Sequence, residues 1–270
     1  MFGDAFGKSE MEFSTGGGNP GGERRNRHHL TRKRQTSAKK NEIKPWQVKA
    51  WIIPTADADD VCAREEVLDV YERKYDEKKP VVCLDESPKQ LSSEVRRGFT
   101  DSKGMKYEDF EYRREGVVAL YVACEPLQGK REIFVRENHH RLNWAGIIRY
   151  IAEEMYPQAE KITIVEDNLS AHKPSALDEI MSAEKARNIL RRIAFVHPPK
   201  HGSWRNIAEI ELSLLKRLGI AKRVGTQAAL EKQIESYQTK RNARQRKVNW
   251  QFTTKDARVK LKRLYPSIDS

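Results

Sequence analysis

The chain has 270 residues, with 51 Lys+Arg against 39 Asp+Glu and a formal net charge of +12, enough length for one or two domains with a sizeable core. Its longest uncharged apolar run, 117–124, is far short of the ~20 residues a bilayer-spanning helix needs, so an integral membrane protein is excluded; its start shows no apolar signal segment, so no secretory signal is read and a cytoplasmic protein is expected. Cys62, Cys83 and Cys124 are too widely spaced for a zinc pattern and odd in number, which fits a reduced compartment.

The charge is unevenly placed. Residues 23–44 hold nine Lys/Arg and two Glu; residues 216–263 hold fifteen Lys/Arg and three acids. Two basic arms flank a slightly acidic middle. Such arms favour a polyanion, because each neutralised phosphate releases condensed counterions. A solvated basic helix face is the plainer reading of the same charges.

Residues 1–44 read as a disordered basic arm with no apolar periodicity. Gly16, Gly18 and Gly21 satisfy a Gly-x-Gly-x-x-Gly pattern, but no strand precedes them and no helix follows, so no dinucleotide site is expected. Within a helical linker at 45–78, Val61, Leu68, Tyr71 and Tyr75 recur at helical spacing, and Asp57 or Asp59 suits its cap. Pro80 opens the apolar run 81–84, a buried strand ending at Asp85. Residues 86–106 read as loop. Segments 107–114 and 117–124 flank Glu115-Gly116, which predicts a hairpin, and 132–135 adds an antiparallel strand.

Trp144, Ile147, Ile148, Ile151 and Met155 then mark one face of a helix over 142–155. A short strand at 162–165 ends near Asp167. A helix over 174–191 follows Lys173-Pro174, then a strand at 194–196 and a helix over 206–218. The tail, 227–263, reads as a long basic helix and a shorter one. An antiparallel meander followed by βα units predicts a mixed α/β sheet with helices on both faces. Ligands of such sheets sit beyond the carboxyl ends of the strands.

Three acids stand out. Asp85 and Asp167 each follow an apolar strand, and Glu209 lies on the helix after a third. Adjacent strands would bring the first two together. Carboxylates that close repel, and a hard divalent cation neutralises them. Mg²⁺ takes few carboxylates plus oxygens from water or phosphate, which suits phosphodiester chemistry, and two such ions ~4 Å apart activate a nucleophile and stabilise a leaving oxygen. Acids at strand ends also serve as helix caps, so spacing alone leaves both readings open.

The flanking residues narrow the choice. Cys-Leu-Asp85-Glu-Ser-Pro-Lys-Gln-Leu, Val-Glu-Asp167-Asn-Leu-Ser-Ala-His172-Lys-Pro, and Pro-Lys-His201-Gly-Ser-Trp204-Arg-Asn206-Ile-Ala-Glu209-Ile-Glu211 resemble the catalytic motifs of bacterial insertion-sequence transposases, in the mariner-like group named after insertion sequence 630. The resemblance runs from about Lys44 to about Tyr265. It implies an RNase H-like domain over 79–220, a basic helical extension over 221–270, and an Asp-Asp-Glu triad binding Mg²⁺ or Mn²⁺, two ions in all. It also implies double-stranded DNA as partner (transposon ends and TA targets), strand transfer by cut-and-paste, a homodimer on DNA, and a nucleoid-associated bacterial protein.

By position in these motifs, Asp85, Asp167 and Glu209 match the three acids. Glu86 and Glu211 are their nearest rivals; Glu211 falls about 200° further round the helix than Glu209. Asn168, His172 and Asn206 are candidates to orient a carboxylate or touch a scissile phosphate, with a cap or packing role for His172 equally open. Lys89, His201 and Trp204 are candidate DNA contacts; a solvated lysine and a structural turn are their alternatives.

The sequence departs from the family in two places. Residues 1 to about 36 lack the periodic helices of the family's end-reading helix-turn-helix domains, so at most a remnant of one is expected. Val122-Ala-Cys-Glu125-Pro-Leu-Gln-Gly also differs from the family's wording on a strand central to RNase H-like sheets. A truncated, non-catalytic DNA-binding remnant and an RNase H-like nuclease are the alternative functions.

Overall fold

Residues 57–199, 206–248, 250–262 and 265 are described by the structure, a computed structural model, so the readings for the N-terminal arm and for His201 and Trp204 lie outside the described residues. The described chain opens with α1 (Ala58–Tyr71), which Asp57 caps by accepting the Asp60 amide at 2.8 Å. Tyr75 lies beyond the helix and is exposed. Then come β1 (Val81–Glu94), a two-stranded ribbon of β2 (Phe99–Thr100) and β3 (Lys106–Tyr107), β4 (Tyr112–Glu125) and β5 (Lys130–Arg136). α2 (Arg141–Tyr150) ends in a π turn, Ile151–Met155. β6 (Ile162–Val165), a 3-10 helix (Pro174–Glu179), α3 (Ala183–Arg192) and β7 (Ile193–Val196) follow. α4 (Ile207–Leu214) runs into a second π turn, Leu215–Gly219, and the chain continues through α5 (Gln227–Ala243) and α6 (Thr254–Lys260).

The main sheet has the order β5-β4-β1-β6-β7. β4 runs antiparallel to β1 and β5, whereas β1, β6 and β7 are parallel. Alternate residues feed two cores. Val81, Cys83, Leu120, Val122 and Val165 face α1, α4 and α5, while Val82, Leu84, Tyr121, Ile162 and Ile164 face α2 and α3. Three antiparallel strands followed by two parallel ones, with helices on both faces, make the RNase H-like arrangement.

Three expectations are corrected. Glu115-Gly116 is not a hairpin turn: β4 runs straight through it. The register opposite β1 slips between Leu91, paired with Gly116, and Ser92, paired with Arg114, leaving Glu115 as a bulge. Gly116 has φ +115°, so it supplies the left-handed backbone that marks turns and bulges alike. The real reversal is the β2-β3 ribbon. Residues 86–94 are also strand rather than loop. Beyond Cys83, β1 loses its β6 neighbour and keeps only β4, so Pro88 sits on an open edge where its missing N–H breaks no ladder. The helix expected over 174–191 is two pieces, because Ser182 caps a fresh helix by accepting the Lys185 amide.

α5 closes the other edge of the sheet. Asn242 accepts the Arg131 amide at 3.0 Å and donates to the Arg131 carbonyl at 2.8 Å; Gln238 accepts the Ile133 amide at 2.8 Å. Side chains one helical turn apart stand ~6 Å apart, close to the ~6.6 Å between alternate strand residues, so α5 pairs the free backbone of β5 in place of another strand.

Candidate active site

β1 and β6 are paired in parallel as far as Cys83 opposite Val165. Asp85 and Asp167 each follow two residues later, at the carboxyl end of that pair, and the charge of Asp167 acts on Asp85. Asp85 has the parity of Val81 and Cys83, so it lies on the sheet face covered by α4. It remains inside β1, opposite Val122 of β4; only the pairing with β6 ends there.

α4 brings in Glu209. Its cap, Asn206, is 1% exposed. The Asn206 Oδ1 accepts the Ala208 amide at 3.1 Å, and Nδ2 donates to the Leu84 carbonyl at 2.8 Å. One side chain thus starts the helix and ties it to the residue before Asp85. The Asp85 carboxyl is pushed up to about 7, chiefly by burial, against the Glu86 amide that donates to Oδ1 at 2.8 Å. The negative charges of Asp167, Glu209 and Glu86 add to that rise, so the three strand-end and helix acids act on one another.

The two rivals are occupied elsewhere. Glu211 is buried, with Oε2 3.2 Å from Arg131 Nε and Oε1 2.6 Å from Arg241 Nη2. Glu86 has the opposite parity to Asp85 and meets His172 on the α2 side of the sheet.

His172 is the hub of a buried polar group. Its Nε2 is 3.2 Å from Glu86 Oε2; its Nδ1 is 3.3 Å from Asp167 Oδ1 and donates to the Asp167 carbonyl at 3.2 Å. Burial opposes its charge, but the bonds to Asp167 and Glu86, with the Glu166 charge, push it up to about 10. Its ring stacks on Trp144 at 5.5 Å, and the Trp144 indole donates to Glu166 at 2.8 Å. The Glu166 carboxyl is pushed up to about 7 by burial, against the pull of His172 and Trp144. Ligand-type atoms of Glu86, Asp167 and His172 lie within 4.8 Å of one another. Glu86 and Asp167 thus share His172, which ties Asp167 to the α2 side of the sheet.

Sequence reasoning missed Glu166 and Trp144. The available signal was a second acid directly after an apolar strand, which needs a buried donor. His140 is exposed and caps α2, and His139 packs on the Tyr121 ring at 5.9 Å. Asn168 is exposed in the loop after β6. Lys89 donates to the carbonyls of Ala221 and Lys222 at 3.3 and 3.1 Å, tying β1 to the segment after α4.

The donor set suits a hard cation. Asp85, Asp167 and Glu209 offer only carboxylate oxygen, and Asp167 Oδ1 is buried facing His172 Nδ1 at 3.3 Å. A cation there would relieve the repulsion that adds to the burial-driven rise of Asp85.

Among curated proteins, none matches this chain in sequence. Solved structures of similar architecture include a Mos1 transposase paired-end complex with the left transposon end (12% identity, 84% of this chain, 74% of that one, TM-score 0.46). A Mos1 mariner paired-end complex with Mn (12%, 86% and 77%, 0.46) and a Mos1 strand transfer complex (11%, 84% and 73%, 0.47) are similar to the same degree. The profile of the DDE superfamily endonucleases matches residues 80–231, a span that contains Asp85, Asp167 and Glu209, and on that match this chain belongs to the DDE superfamily of endonucleases.

Proposed function

We propose that the protein is a transposase of the mariner-like group named after insertion sequence 630, which cuts an insertion sequence out of double-stranded DNA and joins it to TA targets. The observation that supports this most directly is the convergence of three acids from separate elements. Asp85 lies in β1 two residues beyond its last pairing with β6, Asp167 follows β6 by two residues, and Glu209 rides on a helix that Asn206 fastens to Leu84.

In this reading Asp85, Asp167 and Glu209 hold Mg²⁺ or Mn²⁺, two ions in all. The chemistry supplied by the bound ions is activation of water, then of the freed 3′-hydroxyl, and stabilisation of the leaving 3′ oxygen. The protein's own residues do the positioning. His172 fixes Asp167 from behind, and Asn206 fixes the approach of Glu209 to Asp85. Asn168, Lys89, His201 and Trp204 are the candidate contacts to the DNA around the cut. The protein acts as a homodimer on DNA in the bacterial nucleoid. The hairpin of β1 and β4 supports the dimer, since Phe99, Met105, Phe110 and Val117 expose more than half their surface along it. No described helix is long and apolar enough to cross a membrane.

The test is a strand-transfer assay. Labelled transposon-end duplex, a plasmid target and Mg²⁺ or Mn²⁺ should yield joined products at TA dinucleotides. Cleavage without joining would favour a nuclease; DNA binding without either reaction would favour a non-catalytic remnant.

A further inference from the structure

A groove of about 680 Å³ lies between the Leu215–Gly219 turn and one side of α5. Its floor is Tyr237, packed so tightly on Gly219 that a Cβ there would come within 2.7 Å of the ring. Its wall is basic: Lys232, Lys240, Arg241, Arg244 and Arg246 line it, and the two acids of α5, Glu231 and Glu235, do not. Arg241 is committed to Glu211. Lys232, Lys240 and Arg244 have no acidic partner within ion-pair distance among the described residues.

Lys232, Ser236 and Lys240 of α5 and its C-cap residue Arg244 are spaced four apart and form one slanting row along the groove. Twelve residues of helix span ~18 Å, and each strand of a duplex presents a phosphate every ~3.4 Å of axis, so the row matches about five base pairs. Ser236 adds a neutral donor of the kind that contacts phosphate. The groove is also well placed. α4 and α5 pack on the same face of the sheet, and the helical run from Glu209 to Gly219, at the groove, covers about 15 Å.

We propose that this groove binds the sugar–phosphate backbone of duplex DNA, without reading its sequence, some four base pairs from the strand being cut. The proposal rests on the DNA reading of the active site and adds to it a specific docking surface. A row of partnerless cations beside an apolar floor, on the same sheet face as Glu209, is what a flanking duplex would need.

The experiment measures affinity of the full chain for a labelled 40-base-pair duplex of random sequence, from 50 to 200 mM salt. It compares the wild type with Lys232→Ala/Lys240→Ala/Arg244→Ala. Losing three phosphate contacts should flatten the salt dependence by about 2.7 in log–log slope, so the fourfold rise in salt weakens the wild type about 40-fold more than the variant. Lys185→Ala/Arg187→Ala/Arg191→Ala, which removes the same charge from exposed positions on α3 across the sheet, should keep the wild-type slope. The Lys232→Arg/Lys240→Arg/Arg244→Lys variant should keep it too, which separates lost contacts from lost folding. Glu209→Gln should bind like the wild type and fail to cut. A wild-type slope in the α5 alanine variant, or an equal loss in the α3 variant, overturns the groove alone. A wild-type chain that does not bind duplex at all overturns both the groove and the transposase reading.

Discussion

The Asn206 side chain donates to the Leu84 carbonyl at 2.8 Å while capping α4, so the residue before Asp85 and the helix that carries Glu209 are fixed by one amide. Asn206→Ala removes a helix cap and leaves a buried carbonyl unpaired. The expected loss is about 2–3 kcal/mol of stability, with cleavage falling further than the loss of folded protein accounts for. Denaturant unfolding and a cleavage assay on the same sample measure both. Wild-type stability in this variant would contradict the clamp.

Glu209 and Glu211 separate cleanly. Glu211→Ala strands Arg131 and Arg241 in the interior and should cost about 3–5 kcal/mol. Glu209→Gln, at a partly exposed position, should leave the unfolding midpoint near that of the wild type and abolish cleavage. The reverse pattern would make Glu211 the third acid.

The pH dependence of the metal-free protein follows from three groups. Asp85 and Glu166 are raised to about 7, and His172 to about 10. Each binds more protons in the native state than in the unfolded chain. The carboxyls therefore contribute stability below their unfolded values that is lost as pH rises through about 7. His172 contributes stability below its unfolded value of about 6.5 that is lost as pH rises through about 10. In EDTA, the melting temperature should climb steadily as pH is lowered from 9 to 5. A flat profile, or one that falls towards pH 5, would contradict the buried cluster.

The edge pairing of β5 predicts a local effect. Gln238→Ala and Asn242→Ala should each cost about 1 kcal/mol and speed hydrogen exchange at Ile133 and Arg131 respectively, leaving the β1 amides slow. Unchanged exchange at both amides would show that α5 does not cap the strand.

The elements that carry the three candidate acids are legible in the sequence. The apolar runs before Asp85 and Asp167, and the amphipathic turn carrying Glu209, are local patterns that survive folding unchanged. The long β1–β4 hairpin was not legible, because Pro88 and Gly116 are turn residues whose roles here, an open edge and a bulge, depend on which strands pair. The choice of Asp85 over Glu86 follows from strand parity once Val81 and Cys83 are assigned to a face. The ties from Asn206 to Leu84, Glu86 to His172 and Gln238 to Ile133 join residues 86 to 122 positions apart, beyond the reach of any periodicity.

The proposed function requires Asp85, Asp167 and Glu209 to form one metal-binding catalytic centre. Nicking of supercoiled plasmid by the purified chain, in Mg²⁺, Mn²⁺ or EDTA, tests it most directly beside Asp85→Asn, Asp167→Asn and Glu209→Gln. Nicking is expected in either metal and not in EDTA, with a loss on the order of 100-fold or more in each variant and DNA binding retained. Metal-dependent nicking that persists near the wild-type rate in any of the three variants would contradict it.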